Sequence, residues 1–311
     1  MSHKWVKSKK IRVGNLYFGG VPENQIVMVG TVFDIEDRAV IDHKKGIFDR
    51  QTIKREIENA DNLAMELGIG HTIDVLAETP EAMVNYLSFI FEITDSPIMI
   101  DGTTAEVRLA GTKYAYEVGE VDRIIYDAIS PDTPDSELFS IREYNVKTSV
   151  FYALNPADFT PQGRIKVLKE KLAECSEKSQ VKQFLIDTVV FDAPSSGLAG
   201  LTFNFVKKEF GYPTGNAPLN ATWMIEDSWP FSEKAYLGFE VALLTFLQTL
   251  GADYLFYERP RNAADIFPSV AAINGILAYS LKMTGEAIEM DVNTHSLYRL
   301  FKRIAAKEKP W

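Results

Sequence analysis

Eight short apolar runs recur along this chain, and segments with helical periodicity lie between them. Most of the runs are continuously apolar rather than alternating, as expected of parallel strands covered on both faces. The pattern favours a single closed (β/α)8 barrel, a TIM barrel, over an open doubly wound sheet, which would also want a GxGxxG turn after its first strand. The runs lie at 26–33, 71–77, 97–101, 122–129, 148–154, 183–190, 212–217 and 253–259.

The two ends of the chain add elements outside this alternation. The runs IRVGN and LYFGG within residues 1–25 predict a strand pair that caps the bottom of the barrel. Beyond the eighth run, residues 266–311 contain two helical segments, and the first is apolar enough to be buried or to form a dimer face. Since no linker or repeat interrupts the chain, residues 1–311 are predicted to form one domain, and a homodimer is expected.

Composition and charge exclude several classes of protein. The chain has 311 residues, is 46% hydrophobic and shows no run near ~18 uncharged apolar residues, so we expect a soluble, cytoplasmic protein without a membrane span. The net charge of −10 disfavours nucleic-acid binding. One cysteine, Cys175, leaves no intramolecular disulfide, and four scattered histidines offer no Cys/His metal cluster.

Polar residues follow most of the predicted strands, and in a TIM barrel the carboxyl ends of the strands form the site. Asp101 and Asp187 each come directly after an apolar run and precede a small residue, so helix capping explains them poorly. An Asp held so deep is costly unless something donates hydrogen bonds to it. Capping explains Glu78 and Asn155 more readily, because both adjoin helix starts. The other polar residues at strand ends are Asp127, Asn216 and Asn220.

A ring of carboxylates and amides suits two kinds of ligand. Mg²⁺ binds carboxylate and amide oxygens, so a magnesium-dependent lyase or aldolase is one candidate. An amino-pyrimidinone, the hydrogen-bonding face of a pterin, is the other, because its 2-amino group and N3–H are adjacent donors that one carboxylate can accept. We expect Gly102 and Gly215, beside the acids, to leave room for a flat ring.

An ordered series of stretches resembles the H subunit of archaeal tetrahydromethanopterin S-methyltransferase. It is similar also to the bacterial methyltransferases that work between corrinoid proteins and tetrahydrofolate, within a wider group of pterin-binding barrels that includes dihydropteroate synthase. The similarity spans about residues 12–230. The stretches are GTVFDIEDRAVIDHKKGIFD, LAETPEAM, MIDGTTAEVRLAGTKYAYEVG, DRIIYDAIS, ALNPADFTPQGRIKVL, LIDTVV and FGYPTGN.

The resemblance implies roles for the residues at the strand ends. Asp101 and Asp187 would hold the pterin ring, and Asp127 stands where the family commonly has Asn. Asn220, with Asn216 in reserve, matches the Asn that approaches N5 of the pterin, so Asn220 and Asp187 are the expected catalytic residues. Further pterin contacts are expected from Glu78 and Asn155, and contacts to the tail of the pterin from Trp223, Trp229 and Arg261.

The implied reaction moves a methyl group between a methyl-corrinoid and N5 of tetrahydrofolate. An amide such as Asn220 stabilises charge developing at N5 without titrating. Because the chain lacks a DxHxxG corrinoid signature, methylcobalamin or a related corrinoid is expected on a separate partner protein, and no metal is expected. One alternative is a dihydropteroate-synthase-like enzyme, which would want a Lys in the seventh-strand loop, where GNAPLN has none. Another is a non-catalytic pterin-binding subunit of a methyltransferase complex.

Overall fold

The computed structural model describes residues 5–286 and 288–307, so the outermost residues of both predicted terminal elements, 1–4 and 308–311, lie outside the described residues. Eight parallel strands close into a barrel, and each overlaps one of the eight predicted runs. The predicted (β/α)8 fold is therefore confirmed. In order around the barrel the strands are β3 (Val27–Val32), β6 (Gly70–Ala77), β7 (Ile98–Gly102), β8 (Ile124–Ile129), β9 (Thr148–Tyr152), β10 (Gln183–Asp187), β11 (Thr214–Asn216) and β12 (Tyr254–Phe256), which returns to β3.

Helices cover the barrel, and several begin and end where the sequence signals them. Asp49 and Thr79 cap the first two helices through side-chain oxygens, and Gly68 ends the first helix in the left-handed conformation, at φ 72°. The helices are α1 (Arg50–Leu67), α2 (Pro80–Ile93), α3 (Ala105–Glu117), α4 (Asp135–Glu143), α5 (Pro161–Ser179), α6 (Ser196–Phe210), α7 (Leu219–Trp223), α8 (Glu233–Thr249), α9 (Ala263–Met283) and α10 (Ser296–Lys307), and three short 3₁₀ helices lie at Val121–Arg123, Glu226–Ser228 and Pro260–Asn262.

The predicted N-terminal strand pair is present and closes one end of the barrel. Strands β1 (Ile11–Val13) and β2 (Leu16–Phe18) pair antiparallel, and their buried side chains join the cluster that fills the barrel interior. The ring of Phe18 contacts that of Tyr254 edge-on, with centroids 6.3 Å apart. A second hairpin, β4 (Val40–Asp42) with β5 (Ile47–Phe48), lies in the connection from β3 to α1, where the sequence did not predict one.

A buried ion pair fixes the N-terminal segment to the barrel. Lys207 Nζ lies 2.9 Å from Asp253 Oδ2, and both side chains are fully buried. The same carboxylate accepts from Ser8 Oγ at 2.9 Å and from the backbone N–H of Thr214 at 3.0 Å. Asp253 therefore joins three parts of the chain at the end of the barrel opposite the strands' carboxyl ends, and its charge is fully hydrogen-bonded there.

The two C-terminal helices are also present, and the first begins at Ala263 rather than at residue 266. The stretch Pro260–Met283 is long and apolar enough to cross a membrane by length and composition, with a mean hydropathy of 1.3 over its best window. The expectation of no such stretch was wrong in this respect. In the structure α9 packs against α1, α8 and α10, and 39% of this window is buried.

Candidate active site

One cavity of about 670 Å³ opens at the carboxyl ends of the barrel strands. Its volume lies in the range of small-molecule and cofactor sites, and its position is the one that TIM barrels use for chemistry. Four aspartates from four different strands line its inner end: Asp74, Asp101, Asp127 and Asp187. The cavity is therefore strongly acidic where it is deepest.

Strand register brings the four carboxylates together. Asp101 of β7 pairs directly with Asp127 of β8, and Asp187 of β10 pairs with Tyr152 of β9. Residues at matching register positions of a parallel pair face the same side of the sheet, so these side chains all point into the barrel. Asp74 of β6 accepts from Thr31 Oγ1 at 3.0 Å, and Thr31 is its register partner on β3.

The hydrogen-bond partners of these acids are few. Asp187 Oδ1 accepts from the backbone N–H of Val189 at 2.6 Å. Asp74 and Asp127 each keep a buried Oδ1 atom without any partner. An unpartnered buried oxygen costs free energy, which a ligand that donates hydrogen bonds would recover.

Burial raises the pKa of every acid in this group, and repulsion by neighbouring carboxylates adds to the rise at Asp74 and Asp127. Burial raises the pKa of Asp101 to about 6 and that of Asp187 to about 7. Burial, followed by the charges of neighbouring aspartates, raises the pKa values of Asp74 and Asp127 well above their ordinary range. The negative charge of Asp127, followed by burial, raises the pKa of the Tyr152 phenol. The group therefore holds protons near neutral pH, because four adjacent carboxylates cannot all ionise.

The outer half of the cavity wall comes from loops and from α8. Trp223 Nε1 donates to Glu36 Oε2 at 3.1 Å, and Arg259 Nε donates to Asp34 Oδ2 at 2.8 Å. Burial raises the pKa of Glu240, on α8, to about 7. This half thus combines an aromatic surface with cations and acids, whereas the inner half is acidic throughout.

The structure brings four of the seven predicted site residues into the cavity wall, namely Asp101, Asp127, Asp187 and Asn220. It does not bring Asn155 there, since Asn155 Nδ2 donates to the Gly163 carbonyl at 3.1 Å and its Oδ1 accepts from the Ala157 N–H. These bonds are local turn and helix-start contacts.

Glu78 and Asn216 also lie outside the cavity wall. Glu78 is directly followed by Thr79, the N-cap of α2, beyond the end of β6. Asn216 is fully buried and donates from Nδ2 to Thr188 Oγ1 at 3.2 Å. Side chains alternate along a strand, so Asn216 points away from the face on which Asp187 and its register partner Gly215 lie.

Two further expectations need correction. A Cβ at Gly215 would lie 2.1 Å from the Tyr254 carbonyl oxygen, and one at Gly102 would lie 2.8 Å from Val107 Cγ1. Both glycines thus make room for neighbouring protein atoms rather than for a ligand. Among the residues expected at the pterin tail, Trp223 and Arg261 line the cavity, whereas Trp229 stacks on Phe239 with centroids 5.2 Å apart and does not line it.

The sequence prediction missed three residues at the inner end of the cavity: Asp74, Thr31 and Tyr152. Asp74 lies in the middle of HTIDVLA, between the outward-facing Ile73 and Val75, and not at the strand end where acids were sought. The signal that could have found it is alternation, because a carboxylate flanked by apolar residues on an eight-residue barrel strand must face the lumen.

Among the described residues no group of three or more His, Cys, Asp or Glu side chains is placed to hold a metal ion. The alternative of a Mg²⁺ site, which the sequence left open, therefore has no group of ligands in this part of the chain to support it.

Comparison with known proteins agrees with the fold and assigns a family. Residues 7–290 match the family model of the MtrH subunit of tetrahydromethanopterin S-methyltransferase. The H subunit from Methanopyrus kandleri is 31% identical over 301 residues, which cover 89% of this chain and 92% of that protein. The H subunit from Methanothermobacter marburgensis is 31% identical over 291 residues, which cover 87% and 92%.

Solved structures of dihydropteroate synthase share the fold at low sequence identity. The Yersinia pestis enzyme with a pterine–sulfa conjugate superposes with a TM-score of 0.59 at 10% identity, covering 86% of this chain and 99% of that one. The Xanthomonas albilineans enzyme in complex with 7,8-dihydropteroate gives 0.57 at 12% identity, with 87% and 99% covered. By its family match over most of its length, this chain belongs to the MtrH family, the H subunits of tetrahydromethanopterin S-methyltransferase.

Proposed function

We propose that this protein binds a tetrahydropterin in the acidic cavity and takes part in moving a methyl group between N5 of that pterin and a corrinoid carried by a separate protein. The observation that carries the proposal is the set of four buried aspartates at the inner end of one cavity, in a chain of the MtrH family. The names of the curated relatives specify tetrahydromethanopterin, whereas the sequence led us to expect tetrahydrofolate. Both carry the same reduced ring, so the proposal fixes the ring and leaves the tail to experiment.

The aspartates suit the donor edge of a pterin. The 2-amino group and N3–H are adjacent donors, and an ionised carboxylate accepts both in a forked arrangement. Asp187 and Asp101 are the residues we assign to this edge, because burial raises their pKa values only to about 7 and about 6, so both can ionise near neutral pH. Burial of the ring between them strengthens each hydrogen bond because water is excluded.

Asn220 is the residue we assign to N5. It lies on the cavity wall at the start of α7, directly after the seventh barrel strand. Methyl transfer changes the charge on N5, and an amide stabilises that change without exchanging a proton itself.

The corrinoid supplies or accepts the methyl group on its cobalt. Its protein must dock over the mouth of the cavity, and large apolar side chains are exposed on the loops that surround the mouth: Ile35, Phe159, Phe191, Trp223, Met224 and Phe231. Exposed aromatic and Met side chains are enriched at protein interfaces. They support a protein partner at this end of the barrel.

We place the protein in the cytoplasm, where tetrahydropterins and reduced cysteines are found, and we propose a homodimer. The apolar side chains Ile276, Tyr279 and Met283 are exposed on α9 and form the face that we assign to the dimer. Light scattering on the purified protein tests this assignment, and a monomer at every concentration would exclude it.

Calorimetry on metal-chelated protein tests the function. We expect tetrahydrofolate or tetrahydromethanopterin to bind without metal, and D187A to abolish binding. E78A is the matched control, because Glu78 does not line the cavity and its loss should leave affinity unchanged. Binding of neither pterin by the native protein would refute the proposal, and the tighter of the two identifies the tail.

A methyl-transfer assay separates the remaining alternatives. Native protein with free methylcobalamin and the bound pterin should form the N5-methyl product. Binding without product would favour a non-catalytic pterin-binding subunit. Formation of dihydropteroate from a dihydropterin pyrophosphate and 4-aminobenzoate would instead favour the synthase-like reaction.

A further inference from the structure

Asp127 lies directly beside a second acid of the group, since its register partner on β7 is Asp101, whereas the register partners of Asp74 are Thr31 and Met99. Asp127 is 3% exposed, and its Oδ1 has no partner. The charged and titratable groups that act on it are Asp101 from β7, Asp74 from β6, Asp187 from β10 and the Tyr152 phenol from β9. All but Tyr152 are carboxylates, so its surroundings oppose a negative charge from three sides.

Cations partly compensate two of the other acids. Burial raises the pKa values of Asp101 and Asp187, and Arg108, on α3, and Arg164, on α5, act against that rise. At Asp127 the largest effects are burial and then the charges of Asp101, Asp74 and Asp187, all of which raise its pKa, and the hydrogen bond from the Tyr152 hydroxyl acts against them. Asp101 and Asp187 are therefore better placed to carry a negative charge than Asp127 is.

The proposed ligand needs a donor as well as acceptors. The pyrimidinone edge of a pterin carries N–H donors, but its N1 and O4 atoms accept, and an ionised carboxylate cannot donate to them. The hydroxyl hydrogens on the inner wall are already used, since Thr31 donates to Asp74 and Tyr152 donates to Asp127. A wall made only of ionised carboxylates would therefore leave the acceptor atoms of the ring unpaired, at a substantial cost in affinity.

We propose that Asp127 binds the pterin as a neutral carboxylic acid and donates its O–H hydrogen bond to an acceptor atom of the ring, while ionised Asp187 accepts from the N–H edge. This inference rests on the proposed function and specifies the protonation states that the site requires. Asp127 would then favour rings whose edge carries an acceptor atom beside the N–H donors over rings whose edge carries donors alone.

The two roles produce opposite pH dependences. Ionisation of Asp187, with a pKa raised to about 7 by burial, strengthens binding as the pH rises toward that value. Ionisation of Asp127, whose pKa burial and neighbouring acids raise well above its ordinary range, removes the donor and weakens binding on the alkaline side. The native protein should therefore bind a tetrahydropterin with a bell-shaped dependence on pH.

Calorimetric titration with tetrahydrofolate and with tetrahydromethanopterin, from roughly pH 6, below the pKa of about 7 for Asp187, to roughly pH 9, well above the ordinary range of carboxylates, tests the inference. The variants are D127N, D127A and, as a matched control, D74N. We expect D127N to bind within about threefold of the native protein at low pH and to lose the alkaline decline, because an amide N–H donates at every pH. D127A should bind about tenfold more weakly than the native protein near pH 6, which corresponds to about 1.4 kcal/mol for the lost bond. D74N should keep the alkaline decline.

The outcomes separate this inference from the function on which it rests. An alkaline decline in affinity that persists in D127N would overturn the inference and leave pterin binding intact. The same would follow if D127N, with a native circular dichroism spectrum, bound the pterin as weakly as D127A does. The latter result would show that Asp127 acts as an ionised acceptor. No binding of either pterin by the native protein at any pH would overturn the proposed function, and this inference with it.

Discussion

Trp223 and Glu36 join across the mouth of the cavity. The indole Nε1 of Trp223, at the end of α7, donates to the Glu36 carboxylate, which lies in the loop after β3, at 3.1 Å. These loops follow the seventh and the first strand of the barrel, with β12 between them. The contact therefore spans one full strand and fixes an aromatic side chain at the edge of the site.

This position makes Trp223 a reporter of binding. Its side chain is 52% exposed and lines the cavity, so a ligand that covers it should change its fluorescence. We expect a pterin to alter the tryptophan emission of the native protein, and W223F to lose most of that change. W229F is the control, since Trp229 stacks on Phe239 away from the cavity. An unchanged response in W223F would place the ligand elsewhere.

Removing one member of the buried ion pair should destabilise the fold strongly. In K207M the Asp253 carboxylate stays fully buried without its cation, which typically costs about 3–5 kcal/mol of unfolding free energy. Urea unfolding measures this, and we expect K207M/D253N to recover part of the loss because the uncompensated charge is gone. A K207M midpoint equal to that of the native protein would contradict the structure at this point.

The acidic group should make the stability of the ligand-free protein fall as the pH rises. Burial raises the pKa of Asp101 to about 6 and that of Asp187 to about 7, above the value of about 4 in an unfolded chain. A raised folded-state pKa contributes stability that is complete below the unfolded pKa and is lost as the pH passes through the folded one. These two groups therefore reduce stability between about pH 4 and 7.

Comparing the native protein with D187N isolates the contribution of Asp187 to this fall in stability with pH. Urea midpoints measured from about pH 5 to 8, around the pKa of about 7 for Asp187, should show a smaller decline in the variant, because an amide does not titrate. Equal slopes in the two proteins would mean that Asp187 is not held protonated in the folded state.

Two glycines should respond to alanine in opposite directions. In G215A the new Cβ would meet the Tyr254 carbonyl oxygen at 2.1 Å, so a barrel strand must shift and stability falls. Gly197 lies near the start of α6 with nothing within 4 Å of such a Cβ, so G197A should stabilise by roughly 0.5–1 kcal/mol. The thermal unfolding midpoints of both variants, compared with that of the native protein, test this prediction. A G215A variant as stable as the native protein would mean that β11 and β12 are packed less closely than in the structure.

The barrel itself could be predicted because eight buried parallel strands produce short, continuously apolar runs that alternate with segments of helical periodicity. Even β11, only three residues long at Thr214–Asn216, lies within the predicted run 212–217. The hairpin β4–β5 could not be found, since a strand of two residues carries no periodicity.

The site was predictable only in part, for a geometric reason. Asp101, Asp127 and Asp187 stand at or near strand ends, where a linear search looks for them. Asp74 stands three residues before the end of β6 and is paired in register with Met99 rather than with Asp101, so a search of strand ends passes over it. Glu240 comes from the middle part of α8, and nothing local in the sequence shows that this part of the helix reaches the cavity.

The strand pair β1–β2 closes the end of the barrel opposite the cavity, so a ligand can reach the aspartates only through the mouth at the carboxyl ends of the strands. If a corrinoid protein covers the mouth as we propose, a pterin seated against the aspartates has to enter before that protein docks and can leave only after it departs. We therefore expect a compulsory order of addition. Corrinoid protein in excess should dock on empty barrels and slow the reaction, whereas excess pterin should not.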